Sequence, residues 1–177
     1  MKIDIGCGNT ITPGYLRADI NPNYPNLDYI CELDAIPVED DSLEEVRATH
    51  VIEHVPLERV RSTVLKEWLR VLQPGGFAWI DTPNIERNAR LYVGGNWKDD
   101  FDVLTPEQKA RCSMNGEPNA ALWLNFKVFS SDGNWNLHYW NATPELLVAL
   151  CIEAGFERAE VVAESPSVIV KAWKGEG

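Results

Sequence analysis

The chain has 177 residues, 45% of them hydrophobic and 24% charged, which suits one domain with a substantial core. Its net charge of −11 and dispersed basic residues weigh against a nucleic-acid partner. No apolar run approaches the ~18 residues of a membrane span. No basic-then-apolar leader precedes the first strand, and Cys7, Cys31, Cys112 and Cys151 lack metal spacing, so a cytoplasmic chain with reduced thiols is expected.

Residues 2–5 read as a first strand, whose apolar run empties into Gly6-Cys7-Gly8. Glycines there let the loop turn sharply and let a ligand lie against bare peptide. A second strand, Leu16–Ile20, carries Asp19 and is closed by Asn21-Pro22. Leu27–Cys31 is a weaker third, followed by Asp34, and Arg47–Ile52 is a fourth. Leu57, Val60, Val64, Trp68 and Val71 recur at helical spacing, with Pro56 in the first turn and Gly75 at the exit. Phe77–Ile80 follows as a strand. This alternation predicts a parallel α/β sheet. Only ten residues separate Gly8 from Asp19, and they include Pro13-Gly14. The usual crossover helix is therefore shortened or absent.

From Ile85 to Trp140 the rhythm breaks into an aromatic-rich stretch, with Trp97, Phe101, Trp123, Phe126, Trp135 and Tyr139 among its rings. Thr105-Pro106-Glu107-Gln108 is a capping box and starts one helix there. We read residues 1–177 as a single domain in which this insertion, about 85–140, caps the substrate side. Its rings can pack a satellite core, line a substrate pocket or form a homodimer surface. A mobile lid hinged at Gly94-Gly95 and Gly133 is a further expectation. Thr143-Pro144 opens a helix that stops at Gly155, and Ala159–Ala163 with Val168–Trp173 reads as a hairpin at the sheet edge.

Ligands of parallel α/β sheets bind at the carboxyl ends of the strands. There Asp19 can accept both hydroxyls of a ribose, Asp34 can accept from an adenine amino group, and Asp4 favours a cationic ligand. Several segments, in this order and spacing, resemble the class I S-adenosylmethionine-dependent methyltransferases. They are Asp4-Ile5-Gly6-Cys7-Gly8-Asn9, Asp19, Asp34-Ala35-Ile36-Pro37, Ser42 to Val46, His50-Val51-Ile52-Glu53-His54-Val55 and Glu67 to Gly76. A weaker match runs from Leu146 to Phe156, and Asn9–Asp19 is similar to a subgroup of small methyltransferases of glycan or small-molecule biosynthesis.

The resemblance implies a Rossmann-like, seven-stranded, mostly parallel sheet with an antiparallel last strand. It implies S-adenosylmethionine as cofactor, with Gly6, Cys7 and Gly8 under its methionine part, Asp19 on its ribose and Asp34 at its adenine. Asp4, Ile20, Ala35, His50 and Val51 are implied as further cofactor neighbours. The activity implied is methyl transfer; an acidic surface and a short insertion favour a small polar acceptor, such as a sugar hydroxyl or amine, over nucleic acid or membrane. The alternative is a cofactor-binding regulatory or assembly subunit of the same fold. The chain opens on the first strand, so a roof over the cofactor is expected from the insertion or a partner subunit.

Other chemistries fit less well. His50-Val51-Ile52-Glu53-His54 matches a His-x-x-Glu-His metallopeptidase signature, but that site needs both rings on one helical face. His50 ends a strand-like run and the helix begins later, so no metal is expected. A nicotinamide loop would need glycine where Ile11 stands and an acid later than Asp19. His50, Asp81 and His138 are the candidates for a catalytic base, with Asn84 facing the same region.

Overall fold

The structure is a computed structural model, and it describes residues 1–129 and 137–177. Five strands come first: β1 (Lys2–Ile5), β2 (Leu16–Asp19), β3 (Tyr29–Ile30), β4 (Leu43–Thr49) and β5 (Leu72–Pro83). Two short strands, β6 (Ser113–Met114) and β7 (Glu117–Pro118), form a hairpin of their own. β8 (Arg158–Ala163) and β9 (Ser167–Trp173) close the chain. The main sheet has seven strands in the order β3-β2-β1-β4-β5-β9-β8. β1 to β5 pair in parallel, while β9 runs antiparallel to both β5 and β8. This is the Rossmann-like sheet that the resemblance implied, with the parallel pairing that the strand rhythm predicts. No helix joins β1 to β2; turns alone make that connection.

Strand limits depart from expectation most in β4 and β5. β4 begins at Leu43, because Leu43, Val46 and Ala48 are all fully buried and the intervening acids hid their alternation. One of those acids, Glu45, is itself buried and pairs with Lys2 at 3.5 Å and Arg47 at 3.3 Å. β4 also stops at Thr49, not Ile52, because His50 turns the chain with a φ of 51°. β5 runs well beyond Phe77–Ile80, and Leu72 pairs with Leu43 before the ladder resumes at Phe77.

The helical face expected over 57–71 is real but not uniform. α1 (Leu57–Arg59) leads into a π-helical turn, Val60–Val64, and then α2 (Leu65–Val71). Val60, Val64, Trp68 and Val71 are fully buried against the sheet. The helix therefore ends at Val71 rather than at Gly75.

The insertion holds α3 (Ile85–Gly94), α4 (Trp97–Asp102), α5 (Pro106–Arg111) and α6 (Ala120–Phe129). α5 starts on the complete Thr105–Gln108 capping box. Trp97, Phe101, Cys112 and Trp123 form an apolar cluster separate from the main core. Trp135 and Gly133 lie outside the described residues. α7 (Pro144–Ala154) is capped by the Thr143 side chain and lays Leu147, Leu150 and Cys151 into the main core. Among the described residues no helix is long and apolar enough to cross a membrane.

Candidate functional site

The loop after β1 is braced by side chains in place of a crossover helix. Gly6 N–H and Cys7 N–H both donate to the Ala18 carbonyl, at 2.8 and 3.2 Å. Asp19 accepts from Gly8 N–H through Oδ2 and from Asn21 N–H through Oδ1, each at 2.9 Å. Arg17, almost wholly buried, donates to the carbonyls of Gly8 (2.8 Å) and Thr10 (3.1 Å) and to that of Pro25. Thr12 closes the loop onto Asp4 with a 2.5 Å hydrogen bond. Gly6 and Gly8 have φ of 69° and 53°, the left-handed region that suits glycine.

Above this loop lies a cavity of about 510 Å³ at the carboxyl ends of β1, β2 and β4. Gly6, Gly8, Asp19, Ile20, Val51 and Arg59 are among its walls. The Cys31 thiol, also there, is pushed up to about 11 by burial, and burial likewise raises Cys7, so both stay protonated. Cys7 therefore serves as a small residue of the loop rather than as a nucleophile.

Asp34 and Ala35 do not line this cavity. The Asp34 carboxylate is held by Arg59, through Nε at 2.8 Å and Nη2 at 2.5 Å, and by the Thr63 hydroxyl at 2.6 Å. It reaches the cavity only through Arg59, which does line it. Asp4 and Cys7 line a separate pocket with Arg47, Thr49 and Asp81. Burial raises the Asp4 carboxyl above its usual range.

The Arg59 hydrogen bond lowers the Asp34 pKa to about 2. A carboxyl whose folded pKa is depressed adds stability above its unfolded value, near 3.8, and loses it as pH falls toward 2. Between pH 4 and pH 2 the wild-type denaturation midpoint should therefore fall more steeply than that of Asp34→Asn. Parallel curves would show that the ion pair adds nothing.

A second cavity, about 360 Å³, adjoins the first, and His50 and His54 line both. Its other walls include Glu53, Arg87, Lys127, His138 and Ser167. All three histidines of the chain gather here around Glu53, which is fully buried. His50 Nδ1 lies 3.4 Å and His138 Nε2 3.9 Å from Glu53 Oε1. The rings of His54 and His138 meet edge to face, centroids 5.0 Å apart. Contact with the Glu53 carboxylate raises the His50 pKa, whereas burial lowers that of His138. Asp81 Oδ1 is 3.7 Å from His50 Nε2 on the far side of the ring, and Ser167 Oγ is 3.3 Å from the same nitrogen.

The three candidate bases are thus linked through His50 and Glu53, although Asp81 and His138 share no cavity. Asn84 faces elsewhere: it caps α3 and donates to the Glu164 carbonyl at 2.8 Å. Arg17 was not legible as a site residue, and Glu53 is legible only within the His50–His54 signature and the family motif, without a role of its own.

Residues 3–80 match a family described as a methyltransferase domain. A Bos taurus protein named "Probable tRNA methyltransferase 9B" is 28% identical over 135 residues, covering 65% of this chain and 28% of that protein. The Homo sapiens protein of the same name is 28% identical over 127 residues, covering 63% and 26%. The chain thus spans about a quarter of the length of these curated relatives. A solved S-adenosylmethionine-dependent methyltransferase from Methanosarcina mazei aligns with a TM-score of 0.57 at 18% identity, covering 99% of this chain and 92% of that one. A chain from the complex of the Haloferax volcanii Trm112 methyltransferase activator with a methyltransferase gives 0.58 at 12% identity, covering 99% and 82%. Human N-acetylserotonin methyltransferase in complex with S-adenosylmethionine gives 0.57 at 13% identity, covering 98% and 47%. At such identities the structural likeness is one of fold.

Proposed function

We propose that the chain is a class I S-adenosylmethionine-dependent methyltransferase that methylates a small polar acceptor, a reading supported by the family match over residues 3–80 and by the seven-stranded sheet. The observation that carries this reading is the pair of adjoining cavities that share His50 and His54. The larger is of a size that takes a cofactor. Each Asp19 oxygen accepts one N–H and keeps a lone pair for a ribose hydroxyl. Gly6 and Gly8 leave bare peptide at the cavity floor. These features fit S-adenosylmethionine, which when bound supplies an electrophilic methyl on a sulfonium.

In this reading the second cavity takes the acceptor. His50 stands between the two, its ring near Glu53 on one side and Asp81 on the other, and can take a proton from a hydroxyl or amine. The insertion, 85–140, acts as the cap over the acceptor: Arg87, Gln108, Phe126, Lys127 and His138 all face the second cavity. Its return is tied down where Tyr139 N–H donates to the Glu53 carbonyl at 2.9 Å and Trp140 Nε1 donates to Val55 at 3.0 Å. A tRNA nucleoside is the second reading, favoured by the name of the curated relatives. The net charge of −11 favours the small acceptor.

Asp19→Ala should weaken binding of S-adenosylhomocysteine by ~1.5–3 kcal/mol, the range for hydrogen bonds to a charged group. Titration calorimetry checks this, and an unchanged affinity in a folded variant would remove Asp19 from the site. Mass spectrometry of candidate small acceptors and of tRNA, each incubated with the chain and cofactor, separates the two acceptor readings.

A further inference from the structure

We propose that Glu53, His54 and His138 bind a divalent cation of the zinc class on the wall between the two cavities. One ligand atom from each of the three lies within 4.8 Å of the others. Two imidazoles and one carboxylate are a donor set that zinc and its neighbours favour, with a fourth position left open. The site differs from the His50/His54 pair, which a strand end followed by a later helix keeps off one helical face, because its third ligand, His138, arrives from the end of the insertion.

Three observations point to an ion. Glu53 is fully buried, and its Oε1 accepts no well-formed hydrogen bond; its neighbours are the ring nitrogens of His50 and His138, at 3.4 and 3.9 Å. A buried carboxylate oxygen without a well-formed hydrogen bond is costly, and a cation removes that cost. The other oxygen, Oε2, accepts from the Thr82 hydroxyl at 3.0 Å, which fixes the carboxylate. His54 Nδ1 lies 3.2 Å from the Leu137 carbonyl, so an N–H there leaves Nε2 bare. This outer contact is the one that orients metal-bound histidines. His138 is 8% exposed, and its Nε2 lies 3.9 Å from Glu53 Oε1.

Glu53, His54 and His138 all line the second cavity, so the open position faces the acceptor. Resting on the methyl-transfer reading, the ion's ligand there is the acceptor's hydroxyl oxygen. With two neutral imidazoles and one carboxylate, a dication leaves a net charge of +1, which stabilises that oxygen after it loses its proton. The nearby cations Arg87 and Lys127 do not fill the role, since Asp100 holds them at 2.9 and 2.8 Å.

The test is titration of the metal-free chain with Co²⁺, read by the visible absorption of four-coordinate cobalt. One equivalent should bind and be displaced by Zn²⁺. Glu53→Gln and His138→Asn should weaken Co²⁺ by more than about 100-fold, whereas Thr82→Val, an outer contact, should cost ~10–100-fold. Should the buried variants fail to fold, His54→Asn, at a partly exposed position, gives the same readout. No saturable absorption in the folded chain, or unchanged binding in a folded Glu53→Gln or His54→Asn, would overturn the proposal. Calorimetry with S-adenosylhomocysteine on the metal-free chain keeps the two readings apart: cofactor binding without cobalt binding sinks only the ion, and cobalt binding without cofactor binding sinks only the methyl-transfer reading.

Discussion

Trp68→Ala should destabilise the fold by about 3–5 kcal/mol, the usual cost of emptying an aromatic core site. Trp68 is fully buried in the main core, in one cluster with Val64, Leu65 and Val71. Little around it can collapse into the space, because its neighbours belong to strands and helices fixed elsewhere. Its Nε1 also donates to the Leu33 carbonyl at 2.9 Å. Leu33 lines the larger cavity, so the core residue ties down one of its walls. Trp68→Phe separates the two roles: it keeps most of the ring but loses the bond, worth about 1 kcal/mol. Denaturant midpoints for both variants check the stability, and affinity for S-adenosylhomocysteine checks the wall. A midpoint for Trp68→Ala within error of wild type would contradict the packing described.

Gly6→Ala should have the next largest effect, a loss of ~2–5 kcal/mol shared between fold and cofactor affinity. Two costs add. A side chain at a φ of 69° pays about 1–2 kcal/mol. An added Cβ would also lie 2.7 Å from Val51 Cβ and closer still to Cγ2, an overlap of the kind that costs ~1–3 kcal/mol. Gly8→Ala is the internal control, since its φ is also positive but its Cβ would meet only Tyr24, at 3.8 Å. The double variant Gly6→Ala/Val51→Ala should recover the part of the overlap due to the Val51 methyl groups, but neither the remaining Cβ–Cβ contact nor the strain. Thermal midpoints and calorimetry decide between the terms; equal losses at Gly6 and Gly8, with no recovery in the double variant, would show that backbone strain alone matters.

Local chemistry explains what could be read from the sequence. The glycine loop, Asp19, the Thr105 capping box and the Thr143 cap each act over a few residues, and each is where the sequence placed it. The parallel α/β sheet followed from alternating strands and one amphipathic helix. Less legible were features set by distant partners. Asp34 faces Arg59, 25 positions on, rather than the cavity, because a paired guanidinium competes for the same carboxylate. Glu53 meets His138 from 85 positions away, beyond the reach of any periodicity. The helices of the insertion hid behind unevenly spaced aromatics, and only α5 announced itself through its cap. The missing crossover helix was visible in the loop length. That Arg17 braces the loop in its stead was not, since a buried arginine in a strand reads as any other basic residue.

The gathering of every histidine at one place makes the site spectroscopically isolated. Histidine-selective isotope labelling would give imidazole signals from positions 50, 54 and 138 alone, without background from the rest of the chain. Two of those rings touch both cavities, so events on either side register in the same few resonances. Cofactor, acceptor and ion can then be followed separately, in one sample, by which ring responds first.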